Sequence, residues 1–199
     1  MTEKQYDVVV IGGGSAGMAA AAVASETGFS VAVIEREGEP GGILNQCIHN
    51  GFGLHHFREE LTGPEYAHRL IERMGSLPID FYPRTTAMDF DAGPAPGMER
   101  KTVYVFSRTF GVMGLSARAV VLAMGCRERN RGNIGVPGTR PSGIFTAGLA
   151  QRLVNIEGYI PGKRGVIAGS GEISLIMARR MTWVGSEVLG GVELPPLPS

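Results

Sequence analysis

The chain has 199 residues, with 19 Lys+Arg against 19 Asp+Glu, 43% hydrophobic residues and 30 glycines. That length holds one full domain and part of another, and a chain of this size buries enough surface to fold without staples. A neutral charge balance points away from nucleic acid and anionic membrane as partners, and so many glycines favour tight turns and close backbone approaches over a plain helical bundle.

Two cysteines, Cys47 and Cys126, make no disulfide framework and fit a reducing compartment. The polar start Met1–Gln5 leads straight into a strand pattern, so no signal peptide is expected. The longest apolar run, Met18–Ala24, is far shorter than the ~20 residues of a membrane span. These features predict a soluble, cytoplasmic protein.

In chain order, Val8–Ile11 is an uninterrupted β-branched run, the pattern of a parallel strand covered on both faces. A turn rich in glycine follows, Gly12 to Gly17, then a small-residue helix over Ala16–Glu26, a closing Gly28, and a second strand at Val31–Ile34. This is a βαβ unit. Gly12 permits the tight turn, Gly14 lets the backbone approach a pyrophosphate, and Gly17 lets helix and strand pack closely. The helix N-terminus offers free N–H groups to phosphates. Glu35 ends the second strand, about twenty residues beyond Gly14, where a carboxylate can accept hydrogen bonds from ribose hydroxyls.

From Gly38 to Gly53 the periodicity dissolves into loop. Thr62 with Glu65 three residues on has the form of a capping box, and the helix it opens places Tyr66, Leu70 and Met74 on one face. Strands are predicted at Ile79–Phe81, Thr85–Phe90, Thr102–Ser107 and Ala117–Leu122, with a turn at Gly93–Gly97. Gly132–Ile160 reads as a crossing between domains.

A second βαβ then begins at Gly165. One displacement along the chain carries Gly12 onto Gly169, Gly14 onto Gly171 and Gly28 onto Gly185. The repeat departs from its template twice: Ser174 stands where Gly17 maps, and Glu193 falls one residue late. The serine is expected to set the helix slightly farther from its strand. Two dinucleotides are therefore expected, one per turn, with a mere packing copy as the alternative for the second. An acid in place of an arginine after the second strand favours NAD over NADP.

With these motifs the chain resembles the FAD-dependent pyridine nucleotide oxidoreductases related to disulfide reductases. Further likeness lies in Gly41-Gly42, in Val120-Val121-Leu122-Ala123-Met124-Gly125 followed by Arg127-Glu128-Arg129, and in Gly143-Ile144-Phe145-Thr146. Gly42–Gly51 is most similar to proteins found beside glycerol-3-phosphate, sarcosine or opine dehydrogenases.

The resemblance implies an α/β, Rossmann-like fold. A three-layer FAD domain would occupy residues 1–145, and the beginning of an incomplete NAD(P) domain 146–199. It implies FAD contacts at Gly12, Gly14, Ser15, Ala16, Gly17, Glu35, Arg36, Gly41, Gly42, Ala87, Ala123 and Gly125. NAD(P)H contacts would fall at Gly169, Gly171, Glu172 and Glu193. It also implies a longer chain, which makes this sequence look truncated after its Pro-rich tail, Pro195–Pro198.

Disulfide reductases carry two cysteines four residues apart after the Gly-Gly, whereas only Cys47 lies in that region here. A dithiol relay is therefore not expected, and the electron partner becomes a quinone, a small amine or alcohol, or a partner subunit. Cys47 is the one candidate catalytic residue, with an inert loop cysteine as the favoured alternative. Cys126 is read as structural. Cys47, His49, His55 and His56 lack the paired spacing of metal ligands, so no metal site is expected. Asn45, Gln46 and His49 are expected to face the flavin edge. The function these readings support is an FAD-dependent NAD(P)H oxidoreductase. The alternative is a non-catalytic flavin-binding fragment or subunit that needs a partner chain.

Overall fold

The structure, a computed structural model, describes residues 3–93 and 100–193, so the Pro-rich tail and most of the expected turn at Gly93–Gly97 lie outside the described residues. The chain forms two compact units, Met1–Cys126 and Arg127–Ser199.

In the first unit, β1 (Glu3–Ile11), α1 (Ser15–Glu26) and β2 (Val31–Ile34) form the predicted βαβ. They are followed by α2 (Gly63–Gly75), β3 (Ile79–Tyr82), β4 (Thr85–Asp91), β5 (Lys101–Ser107) and β6 (Gly111–Leu122). The six strands lie in the order β3-β2-β1-β6-β5-β4. β1 is parallel to β2 and β6, and β2 to β3, while β5 runs antiparallel to both β4 and β6.

The β-branched run of β1 is continuous because both faces of the sheet are covered. Val10 packs with Met18 and Ala21 of α1 and with Leu70 and Met74 of α2. Val9 and Ile11 face the other way, onto Val103, Val105, Met113 and Leu115 of β5 and β6. Helices, parallel sheet and antiparallel strands thus make three layers. Each fully buried valine contributes roughly 1.5–3 kcal/mol relative to exposure.

Two strands run longer than the sequence pattern predicts. β1 starts at Glu3 because its polar first residues pair with Gly114–Ala117 of β6. β6 starts at Gly111 because its first half also pairs antiparallel with β5. Glycines at 111 and 114 interrupt the apolar alternation there and conceal the strand.

α2 starts as predicted. The Thr62 hydroxyl accepts from the Glu65 amide at 3.4 Å, while Glu65 Oε2 accepts from the Thr62 amide at 2.7 Å. Its last turn is tied to α1 by a two-pronged Arg73–Glu26 pair, with bonds of 2.8 and 2.7 Å.

The second unit contains α3 (Ala147–Asn155), β7 (Arg164–Ala168), α4 (Glu172–Trp183) and β8 (Glu187–Val192), with β7 and β8 parallel. α3 lies inside the stretch read as a domain crossing. Thr146 caps it through the Leu149 amide at 3.4 Å, and Glu128 Oε1 accepts from the Gly148 amide at 2.7 Å. A Thr cap followed by Leu149, Leu153 and Val154 is its sequence signal, masked by the surrounding Gly and Pro. No helix among the described residues is long and apolar enough to cross a membrane.

Candidate functional site

In the first unit, three chain segments meet at the C-terminal ends of β1 and β6, where ligands of open α/β sheets bind. The first is the turn after β1. Gly12 has φ +110°, a backbone region that side chains rarely adopt, and its amide bonds the Ile34 carbonyl at 2.8 Å. The second is the Gly41–Gly42 corner, held by the Gly41 amide on the Gly13 carbonyl at 2.8 Å and by a bridge between Gly14 and Gly41. The third is Ala123, whose amide bonds Ile11 at 2.8 Å and whose carbonyl lies where a Cβ on Gly12 would point.

Two glycines of the turn are glycines for different reasons. A Cβ on Gly17 would collide with the Gly12 carbonyl, so close packing of α1 on β1 demands glycine. A Cβ on Gly14 would meet no protein atom within 4 Å, and its φ of −75° suits any residue. Nothing in the protein's own packing requires glycine at 14. The two helices that begin with a fingerprint glycine, α1 and α4, carry no side-chain cap, whereas α2 and α3 are both capped by threonine. The first-turn N–H groups of α1 and α4 are the orphan donors that an anion satisfies.

Glu35 is buried directly behind this turn. Its Oε2 accepts from the Gly13 amide at 2.7 Å and its Oε1 from the Glu37 amide at 2.8 Å. Gly13 is thus a site residue that sequence reasoning overlooked, its signal being only the unbroken run of three glycines. Each carboxylate oxygen keeps a further acceptor position.

Ser15 and Ala16 lie in the first turn of α1. Arg36 turns to solvent and pairs with Glu37 at 3.7 Å. Ala87 sits apart from the turn in the chain's β4, beside a bulge, and packs on the cluster formed by β1, β2, β5 and β6. Gly125 is exposed past the end of β6.

The loop after Gly42 is a short 3-10 turn, Gly42–Gln46. Asn45 Nδ2 donates to the Pro40 carbonyl at 2.9 Å, Gln46 is buried, and His49 Nδ1 lies 2.8 Å from the Asn50 carbonyl, so these side chains brace the loop itself. Cys47 is half-buried at the end of that turn. Its carbonyl accepts from the Gly63 amide at 3.0 Å, and it stands so close that Gly63 has no room for a side chain. Cys126, expected to be structural, is exposed because the chain has already left the sheet. Among the described residues no three His, Cys, Asp or Glu side chains gather as a metal site would require.

The second unit repeats the turn closely. Gly169 has φ +115° and Gly185 +92°, against +110° at Gly12 and +91° at Gly28. The Gly169 amide bonds the Val192 carbonyl at 2.8 Å, as Gly12 bonds Ile34. Gly171 is the N-cap of α4 and has an open Cβ position, and Glu172 is the exposed first residue of that helix. Ser174 keeps its side chain against Gly169, its Oγ 3.4 Å from the space a Cβ there would fill. Glu193 follows β8 directly and is exposed. Its apparent one-residue delay has a physical origin. Gly165 pairs with Val188 but Val166 pairs with Gly190, so Leu189 is an extra residue in β8 and Val192 ends opposite Ala168. Ile34 stands opposite Ile11 in the same way.

Comparison with known proteins agrees with this geometry. Residues 6–190 match the model of the pyridine nucleotide-disulphide oxidoreductase family. An opine oxidase subunit of Agrobacterium tumefaciens (strain Ach5) is 31% identical over 183 residues, covering 90% of this chain and 35% of that protein. Thioredoxin reductase of Bacillus subtilis (strain 168) is 30% identical over 188 residues, covering 94% of this chain and 53% of that protein. The chain therefore spans between about a third and about half the length of these relatives.

Among solved structures, L-proline dehydrogenase from P. horikoshii aligns with a TM-score of 0.68 at 24% identity, covering 98% of this chain and 36% of that one. Ornithine N-hydroxylase of Kutzneria sp. 744 aligns with a TM-score of 0.73 at 15% identity, covering 96% of this chain and 53% of that one. At these identities the likeness is one of fold. On the turn, the strand order and the match over residues 6–190, the chain belongs to the pyridine nucleotide-disulphide oxidoreductase family, FAD-dependent oxidoreductases of Rossmann-type fold.

Proposed function

We propose that this chain moves electrons between a reduced pyridine nucleotide and a non-thiol partner by way of FAD. Gly14 carries the reading: it is a glycine with no packing reason, at the uncapped start of a helix, and an incoming pyrophosphate supplies the missing reason. Residues 1–145 would hold the flavin. The amides of Ser15, Ala16 and Gly17 face its pyrophosphate, Glu35 offers its remaining lone pairs to the adenosine ribose, and the Gly41–Cys47 loop flanks the ring. Bound FAD would supply the hydride chemistry, and the residues of this chain would hold and orient it.

Residues 146–199 would receive NAD(P)H on the Gly169–Gly171 turn. Glu193 favours NAD, because a carboxylate repels a 2′-phosphate. Cys47 has no second cysteine in its loop, so the other electron carrier is a partner protein, a quinone, or an amine or alcohol. The similarity to a protein named as one subunit of an oxidase favours the first of these. Two free cysteines fit a cytoplasmic setting.

The test is the visible spectrum of the purified chain. Near-stoichiometric flavin bands bleached by NADH are expected, and a colourless folded product overturns the reading. Flavin bands that NADH leaves unchanged support instead a flavin-binding subunit without activity of its own. Gly14→Val is expected to abolish flavin retention while the protein stays folded; normal FAD content in that variant refutes the placement.

A further inference from the structure

We propose that Lys4, Tyr82, Tyr6 and Asp80 form a one-way hydrogen-bond strap that ties the edge strand β3 to β1, and that this strap, through the backbone that follows β3, sets how fast the first unit releases FAD. The second half rests on the reading that this unit holds FAD beside Glu35. β3 is four residues long and, among the described residues, pairs only with β2. The strap gives it a second hold. Tyr6 reaches over β2 and donates to Asp80 Oδ2 at 2.5 Å, and its oxygen lies 2.5 Å from the Tyr82 hydroxyl. Lys4 Nζ donates to that same Tyr82 hydroxyl at 2.9 Å.

Donor counting fixes the direction of the chain. An ammonium only donates and a carboxylate only accepts. Tyr6 spends its one hydroxyl hydrogen on Asp80, so Tyr82 donates to Tyr6 and Lys4 donates to Tyr82. A chain running from a cation to an anion polarises every bond in it. β1 and β3 stand two strand spacings apart, about 10 Å, and Ala32, the smallest residue of β2, pairs with Asp80 and leaves the path open. Burial, with the bonds to Asp80 and Tyr82, holds the Tyr6 hydroxyl above the ordinary tyrosine range, so it stays a donor. The strap also reaches the site. The Tyr82 carbonyl accepts from the Glu35 amide, the Thr85 amide donates to the Glu35 carbonyl, and the Arg84 amide donates to the Glu37 carbonyl, each at 2.9 Å. Residues 35–37 are thus zipped to residues 82–85, and whatever loosens β3 loosens that wall.

The experiment takes two readings on the purified full chain: hydrogen exchange of the β3 amides by mass spectrometry, and the rate at which bound FAD leaves on dilution, followed by flavin fluorescence. Tyr6→Phe keeps the ring and its packing and removes only the central hydroxyl. It is expected to speed both readings about tenfold, the effect of losing one hydrogen bond to a charged group. Tyr82→Phe spares the Tyr6–Asp80 bond and is expected to act more weakly, about threefold on each. Met113→Ala removes a buried side chain from β6, three places from β3 in the sheet. It lowers global stability and is expected to speed exchange in β1 while leaving β3 exchange and FAD release within about twofold, because both proceed by local opening.

Unchanged β3 exchange in Tyr6→Phe overturns the strap. Faster β3 exchange with unchanged FAD release reduces the strap to a structural tie and overturns its control of release. Equal acceleration of release by Met113→Ala shows that release follows global stability, and overturns it too. A wild-type chain that binds no FAD ends the reading of the first unit and the control of release with it, while the exchange rates still decide the strap.

Discussion

At the scale of single residues, the two glycines Gly14 and Gly17 separate ligand binding from packing. A Cβ at 17 collides with the Gly12 carbonyl, a backbone atom that cannot step aside, whereas a Cβ at 14 enters open space. Gly17→Ala is therefore expected to cost about 1–3 kcal/mol of stability through overpacking. Gly14→Ala is expected to leave stability nearly unchanged, because the lost chain entropy of glycine offsets a poorer cap. Urea denaturation of the two variants without added cofactor checks this; equal losses would mean that both glycines serve packing alone. The sequence shows the glycines, their spacing and the acid. It does not show that Glu35 is already engaged by the Gly13 and Glu37 amides, because those bonds depend on how the turn closes over β2. Nor does it show that Arg36, next in the chain, turns outward to Glu37. Neighbours along a strand point to opposite faces, and only the assembled sheet says which face is the site.

At the scale of elements, legibility follows how local each signal is. β2 and the cap of α2 stand where the sequence puts them because four β-branched or apolar residues and a Thr-x-x-Glu box are self-contained. The early part of β6 and the bulge at Leu189 escape, because both are defined by a partner strand distant in sequence. α3 escapes because its short apolar face is surrounded by turn residues. The α2 cap also predicts a pH response. Bonds from the Thr62 backbone and hydroxyl hold the Glu65 carboxyl below its ordinary range. A carboxyl depressed in the folded state adds stability above its unfolded pKa and loses it as the pH falls through the folded value. The stability that the Glu65 carboxyl adds to the start of α2 is therefore present at neutral pH and fades in acid. Thr62→Ala is expected to cost about 1 kcal/mol at neutral pH and to flatten this part of the acid dependence. Urea melts of both proteins at neutral and acid pH test it, and parallel pH profiles would count against the cap.

At the scale of the whole molecule, the two units differ in how much of each sheet is covered. The first unit sandwiches its parallel strands between two helices and an antiparallel layer, leaving Val9, Val10 and Val33 with no exposed surface. In the second, the two described strands leave Val166 and Val192 about three-fifths exposed, at 59% and 60%. Burial on both faces is what makes opening costly, so local stability should be unequal. Amides of β1 and β2 are expected to exchange at rates near those of global unfolding, while those of β7 and β8 exchange much faster through local opening. A pyridine nucleotide that engages the Gly169–Gly171 turn binds only the closed form of β7, α4 and β8. At a hundred times its dissociation constant it raises their opening free energy by about 2.7 kcal/mol, a roughly hundredfold slowing. Amides of β1 and β2, whose opening does not dismantle that turn, are expected to keep their rates. Hydrogen exchange read by mass spectrometry with and without saturating NADH measures both effects. Uniform protection across the two units would contradict the unequal layering, and unchanged exchange at residues 164–192 with NADH present would remove the second turn from the electron path.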